Sequence, residues 1–191
     1  MMADLYKLQF NNRTILTSSM DSFVAFTESV PVIPYITIGN QIWTSPVLNI
    51  DDGGSGILKY NSYIVNNVDL GPVYFYTYDA ALRVANATAG WHLPTKSEVD
   101  TMVNYIGGGY TSSTATKLKS TTVWSNPGTD DYGFGALPYG FIKGSVITNP
   151  GTESTFWQTE YYRMYILNNN TIYNGTETNT TVHYPLRLIK D

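Results

Sequence analysis

The chain contains no cysteine, little charge and no long apolar run. Without cysteine there is no disulfide, no thiolate nucleophile and no cysteine-based zinc site. At 191 residues it can bury a core without such staples, and the length fits one domain with a small appendage. Charged residues are 14% of the chain, against about 25% in ordinary soluble domains. The balance is acidic, net -4, with no basic run to neutralise a row of phosphates. No nucleic-acid partner is expected on that ground. No apolar stretch reaches the ~20 residues that cross a bilayer, so no membrane insertion is expected. The opening Met1-Met2-Ala3-Asp4 lacks the basic start and apolar core of an export signal.

The familiar catalytic strings are also missing: no G-x-S-x-G, no H-E-x-x-H and no phosphate loop. The two histidines, His92 and His183, stand far apart, and a histidine metal site would need both. Carboxylate pairs occur at Asp51-Asp52 and Asp130-Asp131, each in a Gly-rich stretch. They read either as a glycosidase pair or calcium site, or as solvated turn acids. We take them as turn acids, and expect no catalytic residue, no metal and no cofactor.

What the chain has in abundance is aromatic: 14% of residues, 16 of them tyrosine. Such residues favour strands, and with Asn and Ser they also suit contact surfaces. Near the N-terminus, Leu5 to Phe10 alternate, Asn11-Asn12 supplies a turn, and Ile15-Leu16 and Phe23-Val24-Ala25-Phe26 continue the pattern. Pro31 and Pro34 punctuate it. Residues 1–34 read as a β-hairpin element, either a docking arm or an edge hairpin of the main domain. Tyr35-Ile36-Thr37-Ile38, Gly39-Asn40 and Gln41-Ile42-Trp43 form a second hairpin. Residues 51–56 are a loop, and 73–78 an aromatic strand. A helix over 79–86 is expected, with Asp79 as its cap. A second starts at Thr95, where Thr95-Lys96-Ser97-Glu98 matches the capping box. Val99, Met102, Val103 and Ile106 give its apolar stripe, and Gly107-Gly108-Gly109 ends it. Strands and long loops follow to residue 191. The expected class is α+β, with a hairpin, two helices and an irregular β-rich half.

The string Gly90-Trp91-His92-Leu93-Pro94-Thr95 stands directly before the capped helix. Upstream are Ile38-Gly39-Asn40-Gln41-Ile42-Trp43, Asn49 and Val73-Tyr74-Phe75-Tyr76. Downstream are Ala115-Thr116-Lys117-Leu118-Lys119-Ser120, Trp124 and Gly133-Phe134-Gly135-Ala136-Leu137-Pro138-Tyr139-Gly140. Phe156-Trp157-Gln158-Thr159-Glu160 and Leu186-Arg187-Leu188-Ile189-Lys190-Asp191 complete the series. In this order the pieces resemble the Fibrobacter succinogenes major paralogous domain, over about 36–191. That family is similar to the formylglycine-generating-enzyme branch of C-type-lectin-like folds. The resemblance implies a C-type-lectin-like domain over 35–191, with an antiparallel β-rich half. On physical grounds Trp91, Trp124, Phe134 and Trp157 read as core anchors first, and His92, at a strand-to-helix junction, as a hydrogen-bonded residue rather than a catalyst. Members often carry a cysteine before the closing Val-Lys-Asp, where this chain reads Leu186-Arg187-Leu188-Ile189. The formylglycine-generating relatives use cysteine chemistry, so that activity is excluded. The Glu-Pro-Asn and Trp-Asn-Asp signatures of calcium-dependent lectins are absent, so calcium-mediated sugar recognition is not expected.

Asn-x-Ser/Thr triplets begin at Asn12, Asn86, Asn169, Asn174 and Asn179, and composition accounts for them. The candidate contact residues lie in 161–174: Tyr161, Tyr162, Arg163, Tyr165, Asn168, Asn170, Tyr173 and Asn174. In one extended stretch they would share a polar-aromatic face; the other reading is a cross-strand Tyr ladder. Related lectin-like proteins diversified by retroelements vary the corresponding C-terminal region. The expectation is a non-enzymatic phage virion protein, either a decoration, a head-fibre or a tail protein. Its partners would be other virion proteins and a host-surface glycan or protein, and it would form a trimer or higher homo-oligomer. The alternatives are a bacterial cell-surface or secreted binding domain, and a glycan-cleaving enzyme using the loop carboxylates.

Overall fold

The computed structural model describes Tyr6–Phe10, Arg13–Thr17 and residues 32–191. The chain divides into two compact units, Met1–Val32 and Ile33–Asp191. In the first, β1 (Tyr6–Phe10) pairs antiparallel with β2 (Arg13–Thr17), Leu8 standing opposite Ile15. The expected Asn11-Asn12 turn, the strand at Phe23 to Phe26 and the break at Pro31 lie outside the described residues.

The second unit is α+β, mostly sheet, with three helices. It opens with β3 (Tyr35–Ile38) and β4 (Gln41–Thr44), joined by the Gly39-Asn40 turn. Gly39 has φ +63°, and a Cβ there would press within 3.2 Å of the Tyr105 ring. Both the turn and the close approach require glycine. Next come β5 (Ile57–Tyr60), β6 (Ile64–Val65), β7 (Val68–Asp69) and β8 (Val73–Tyr76). β8 shows how the pleat divides the core. Val73 and Phe75 enter one apolar cluster, and Tyr76 enters the other.

The first helix, α1 (Tyr78–Ala87), is capped by Thr77 rather than Asp79. The Thr77 hydroxyl accepts from the Ala80 amide at 3.3 Å. Asp79 sits inside the first turn, where the helix dipole favours an acid, so it mimics a cap in the sequence. After β9 (Trp91–His92) comes α2 (Lys96–Gly107). Its Thr95–Glu98 capping box is complete, and Gly108 ends it in the left-handed region at φ 73°. A third helix corrects the expectation of two: α3 (Ser112–Leu118) follows the glycines. Its sequence, SSTATKL, carries too few apolar residues for a 3.6-residue period to show. Thr111 caps it, and Ala115 and Leu118 are buried.

The β-rich half holds β10 (Phe141–Lys143), β11 (Val146–Thr148), β12 (Glu153–Trp157), β13 (Tyr162–Leu167), β14 (Ile172–Thr176), β15 (Val182–His183) and β16 (Ile189–Lys190). Its pairings are antiparallel, in the orders β11-β10-β15 and β12-β13-β14. β16 returns to the start of the unit and lies between β4 and β9 in the order β3-β4-β16-β9.

Of the four expected core aromatics, Trp124, Phe134 and Trp157 are buried. The Trp124 and Trp157 indoles donate to Ala136 O and Tyr76 O, each at 2.7 Å. Trp91 is only half-buried, because β9 is a two-residue edge strand. The largest polar surprise is Arg187, 2% exposed. It donates to Thr44 O at 2.7 Å and Phe134 O at 2.6 Å. Its guanidinium lies 4.2 Å from the Phe134 ring centroid and 5.5 Å from that of Phe156. Burial pushes its pKa down to about 10, so it stays charged at neutral pH. Arg187→Ala would leave two buried carbonyls without donors and open a cavity. The expected loss is about 3–5 kcal/mol of unfolding free energy in urea titrations; a loss below about 1 kcal/mol would contradict this role.

Candidate functional site

The eight candidate residues of 161–174 do not share one face. The chain reverses between β13 and β14, where the Leu167 amide donates to Thr171 O and the Asn170 amide to Leu167 O. The stretch is therefore a strand, a turn and a strand, and its residues part by the two-residue period. Tyr162 and Asn174 lie on the same side as Met164, Ile166 and Ile172, which enter the core. Arg163, Tyr165 and Tyr173 lie on the other side. Tyr161, Asn168 and Asn170 belong to the turns.

Tyr165 stands opposite Tyr173, with ring centroids 5.1 Å apart, so a cross-strand Tyr pair forms. The Arg163 guanidinium lies 4.8 Å from the Tyr165 ring and 5.8 Å from Tyr184. Its Nε is 3.3 Å from Glu177 Oε2, which also accepts from the Tyr184 hydroxyl at 2.7 Å. Burial works to raise the Glu177 pKa. The Asn179 amide, the Tyr184 hydroxyl and Arg163 outweigh it and hold the carboxyl below its ordinary value. Gly175 faces Arg163 across the ladder and adds no side chain. A Cβ there would meet only a Tyr165 ring carbon, at 3.7 Å. The result is a half-buried aromatic-cationic face whose exposed edge is Tyr173, 48% exposed.

The asparagines do structural work. Asn168 Oδ1 accepts from the Asn126 amide at 2.8 Å, and its carbonyl accepts from Lys119 Nζ at 3.1 Å. Lys119 is buried, also donates to Asn126 O, and lies 4.9 Å from the Trp124 ring. Burial lowers its pKa to about 8. Asn174 exchanges two hydrogen bonds with Gln158 and donates to the Tyr110 hydroxyl at 2.8 Å. Asn170 takes φ 62°, a turn position that asparagine tolerates.

At the other end, Glu160 and Tyr161 take φ 57° and 58°, the two left-handed positions of a type I′ turn. Asn-Gly is the usual pair there, because a side chain costs on the order of 1 kcal/mol per position. Tyr78 holds the turn: its hydroxyl accepts from the Glu160 amide at 2.9 Å, and its ring stacks on Tyr161 with centroids 3.9 Å apart.

The loop acids are engaged by the chain's own cations and amides. Asp51 bonds Lys59 and the Gly53 amide, and Asp52 bonds Arg83 and the Gly54 amide. These partners hold both carboxyls below their ordinary range. Burial instead raises the Asp130 pKa, while the Gly135 amide donates to it at 2.6 Å. Among the described residues, no three His, Asp or Glu side chains converge as metal ligands. No helix among them is long and apolar enough to cross a membrane. No family model, curated protein or solved structure matches the chain.

Sequence reasoning missed Tyr78, Gly175, Glu177 and Tyr184. Gly175 left a signal, a lone glycine within a strand pattern. The other three join it through contacts that periodicity does not encode, Tyr78 and Tyr184 from buried positions. Asn174→Ala is expected to cost about 1–2 kcal/mol, because Gln158 and Tyr110 lose a partner. Tyr173→Ala should cost less than about 1 kcal/mol. Denaturant titrations of the two variants read this difference.

Proposed function

We propose that the chain is a non-enzymatic bacteriophage virion protein, a decoration, head-fibre or tail protein, that binds a host-surface glycan or protein. Its unit from Ile33 onward is read as a C-type-lectin-like domain of the Fibrobacter succinogenes major paralogous type. The motif residues support that reading by the structural roles they take. Gly90 to Thr95 leads into the α2 capping box, Trp124 and Phe134 anchor the core, and Ile189 stands between Trp43 and His92.

The observation that carries the binding function is the Arg163–Tyr165–Tyr173 surface. Its strands are braced from behind by Met164, Ile166 and Ile172, so the rings are presented on a fixed platform. Tyrosine gives large contact area with little rotamer entropy to lose, and arginine between rings adds a polar contact. The ion-paired Asp51 and Asp52 give the glycan-cleaving alternative no free carboxylate pair at that loop.

Two measurements test the proposal. Labelled antibody against this chain should decorate purified phage particles in electron microscopy, and light scattering should report a trimer or larger assembly. A monomer that never joins particles would overturn the virion reading. An export signal upstream in the reading frame would move the same binding domain to a bacterial surface. The double change Tyr165→Ala with Tyr173→Ala should weaken binding to host envelope at least about tenfold, with the fold retained by circular dichroism.

A further inference from the structure

His92 lies at the junction of β9 and α2, and both of its ring nitrogens meet a carboxylate. Nδ1 is 2.7 Å from Asp191 Oδ1, and Nε2 is 2.8 Å from Glu98 Oε1. A neutral imidazole has one donor and one acceptor nitrogen. At these distances its bare nitrogen would face an anionic oxygen. Only the doubly protonated ring donates to both carboxylates. We infer that His92 is held as an imidazolium, and that it clasps the closing strand β16 to the start of α2 in a pH-dependent way.

The clasp adds to other contacts of β16, which also pairs with β4 through Ile189 opposite Trp43. β16 has two residues and pairs with β9 through Ile189 opposite His92 and Lys190 opposite Trp91. Beyond it, the Asp191 amide donates to Gly90 O at 3.1 Å. On the α2 side, Glu98 Oε2 accepts from the Thr95 amide and hydroxyl, each at 2.8 Å. The helix cap and the strand therefore share one histidine. Glu98 and Asp191 are the charges that act on the ring. Elsewhere on α2, Lys96 and Asp100 pair with each other. On α1, which packs on β9, Arg83 pairs with Asp52, and Asp79 lies in the first turn. Lys190 on β16 is exposed.

Burial of the His92 ring opposes its charge, but Asp191 and Glu98 outweigh burial and raise its pKa above the ordinary value. Burial likewise opposes the Glu98 charge, and the Thr95 amide and His92 outweigh it, lowering that pKa. A raised histidine pKa gives stability that is complete below about pH 6.5 and fades as pH rises through the folded-state value. The lowered Glu98 pKa gives stability that is present above its ordinary range and lost on acidification. The clasp is thus tightest in mildly acidic solution and loosens on the alkaline side.

Nitrogen-15 NMR of the full chain tests this. Near pH 6, both ring nitrogens of His92 should carry protons. His92 should titrate at a higher pH than His183, whose pKa burial lowers. Asp191→Asn, at an exposed position, should lower the His92 pKa by about half a unit or more without unfolding the chain. Hydrogen-exchange protection of the Asp191 amide, corrected for intrinsic rates, should fall across the His92 titration and become pH-independent in His92→Gln. A single neutral tautomer at pH 6 would overturn the inference. So would Asp191 protection that ignores the titration.

Discussion

One side chain connects the distant parts of the main unit. Arg187 brings a positive charge into the interior and spends it on two backbone carbonyls, one from β4 and one from the loop at Phe134. Thr44 completes the junction: its amide donates to Leu188 O, and its hydroxyl accepts from the Leu188 amide. The β3–β4 hairpin, the 133–140 loop and the closing strand therefore meet at one guanidinium. The flanking phenylalanine rings favour the charge where water cannot reach it. Its Nε has no hydrogen-bond partner, which is a residual cost of this arrangement.

The same device recurs at smaller scale. Lys119 binds two loop carbonyls under Trp124, and the Trp124 and Trp157 indoles add a second donor to Ala136 O and to the β8 carbonyl of Tyr76. A fold with this much irregular backbone has many carbonyls outside sheet ladders, and buried ones need donors. Long cationic and indole side chains supply them across gaps that secondary structure does not bridge. The low overall charge fits this economy, since two of the few cations, Lys119 and Arg187, serve inside rather than on the surface.

Local chemistry in the sequence announced much of this architecture. The Gly39-Asn40 hairpin, the Thr95–Glu98 capping box and the glycine stop after α2 each rest on contacts within a few residues, and each formed as read. Where the signal was only polar, the reading failed: α3 has two buried apolar residues in a run of Ser and Thr, and Asp79 resembled a cap that Thr77 provides. The contact surface was half legible. Tyrosine and arginine at alternate positions marked Arg163, Tyr165 and Tyr173. Composition could not show that Asn168 and Asn174 turn inward, because their partners, Asn126, Gln158 and Tyr110, come from other parts of the chain. Glu177 and Tyr184 were invisible for the same reason.

The insertion of β16 between β4 and β9 has a further consequence, in time rather than space. Thr44 and Leu188 are separated by 144 positions. On a translating ribosome, β3, β4 and β9 emerge long before the strand that must sit among them. During synthesis the β3–β4 hairpin and the Gly90–Thr95 segment wait with unpaired edges, and the sheet closes in one late step. Such sequence-distant closure is slow, and it exposes strand edges to neighbouring nascent chains. Completing the unit thus waits for its closing segment, and damage to that segment would be felt at the opposite end of the unit.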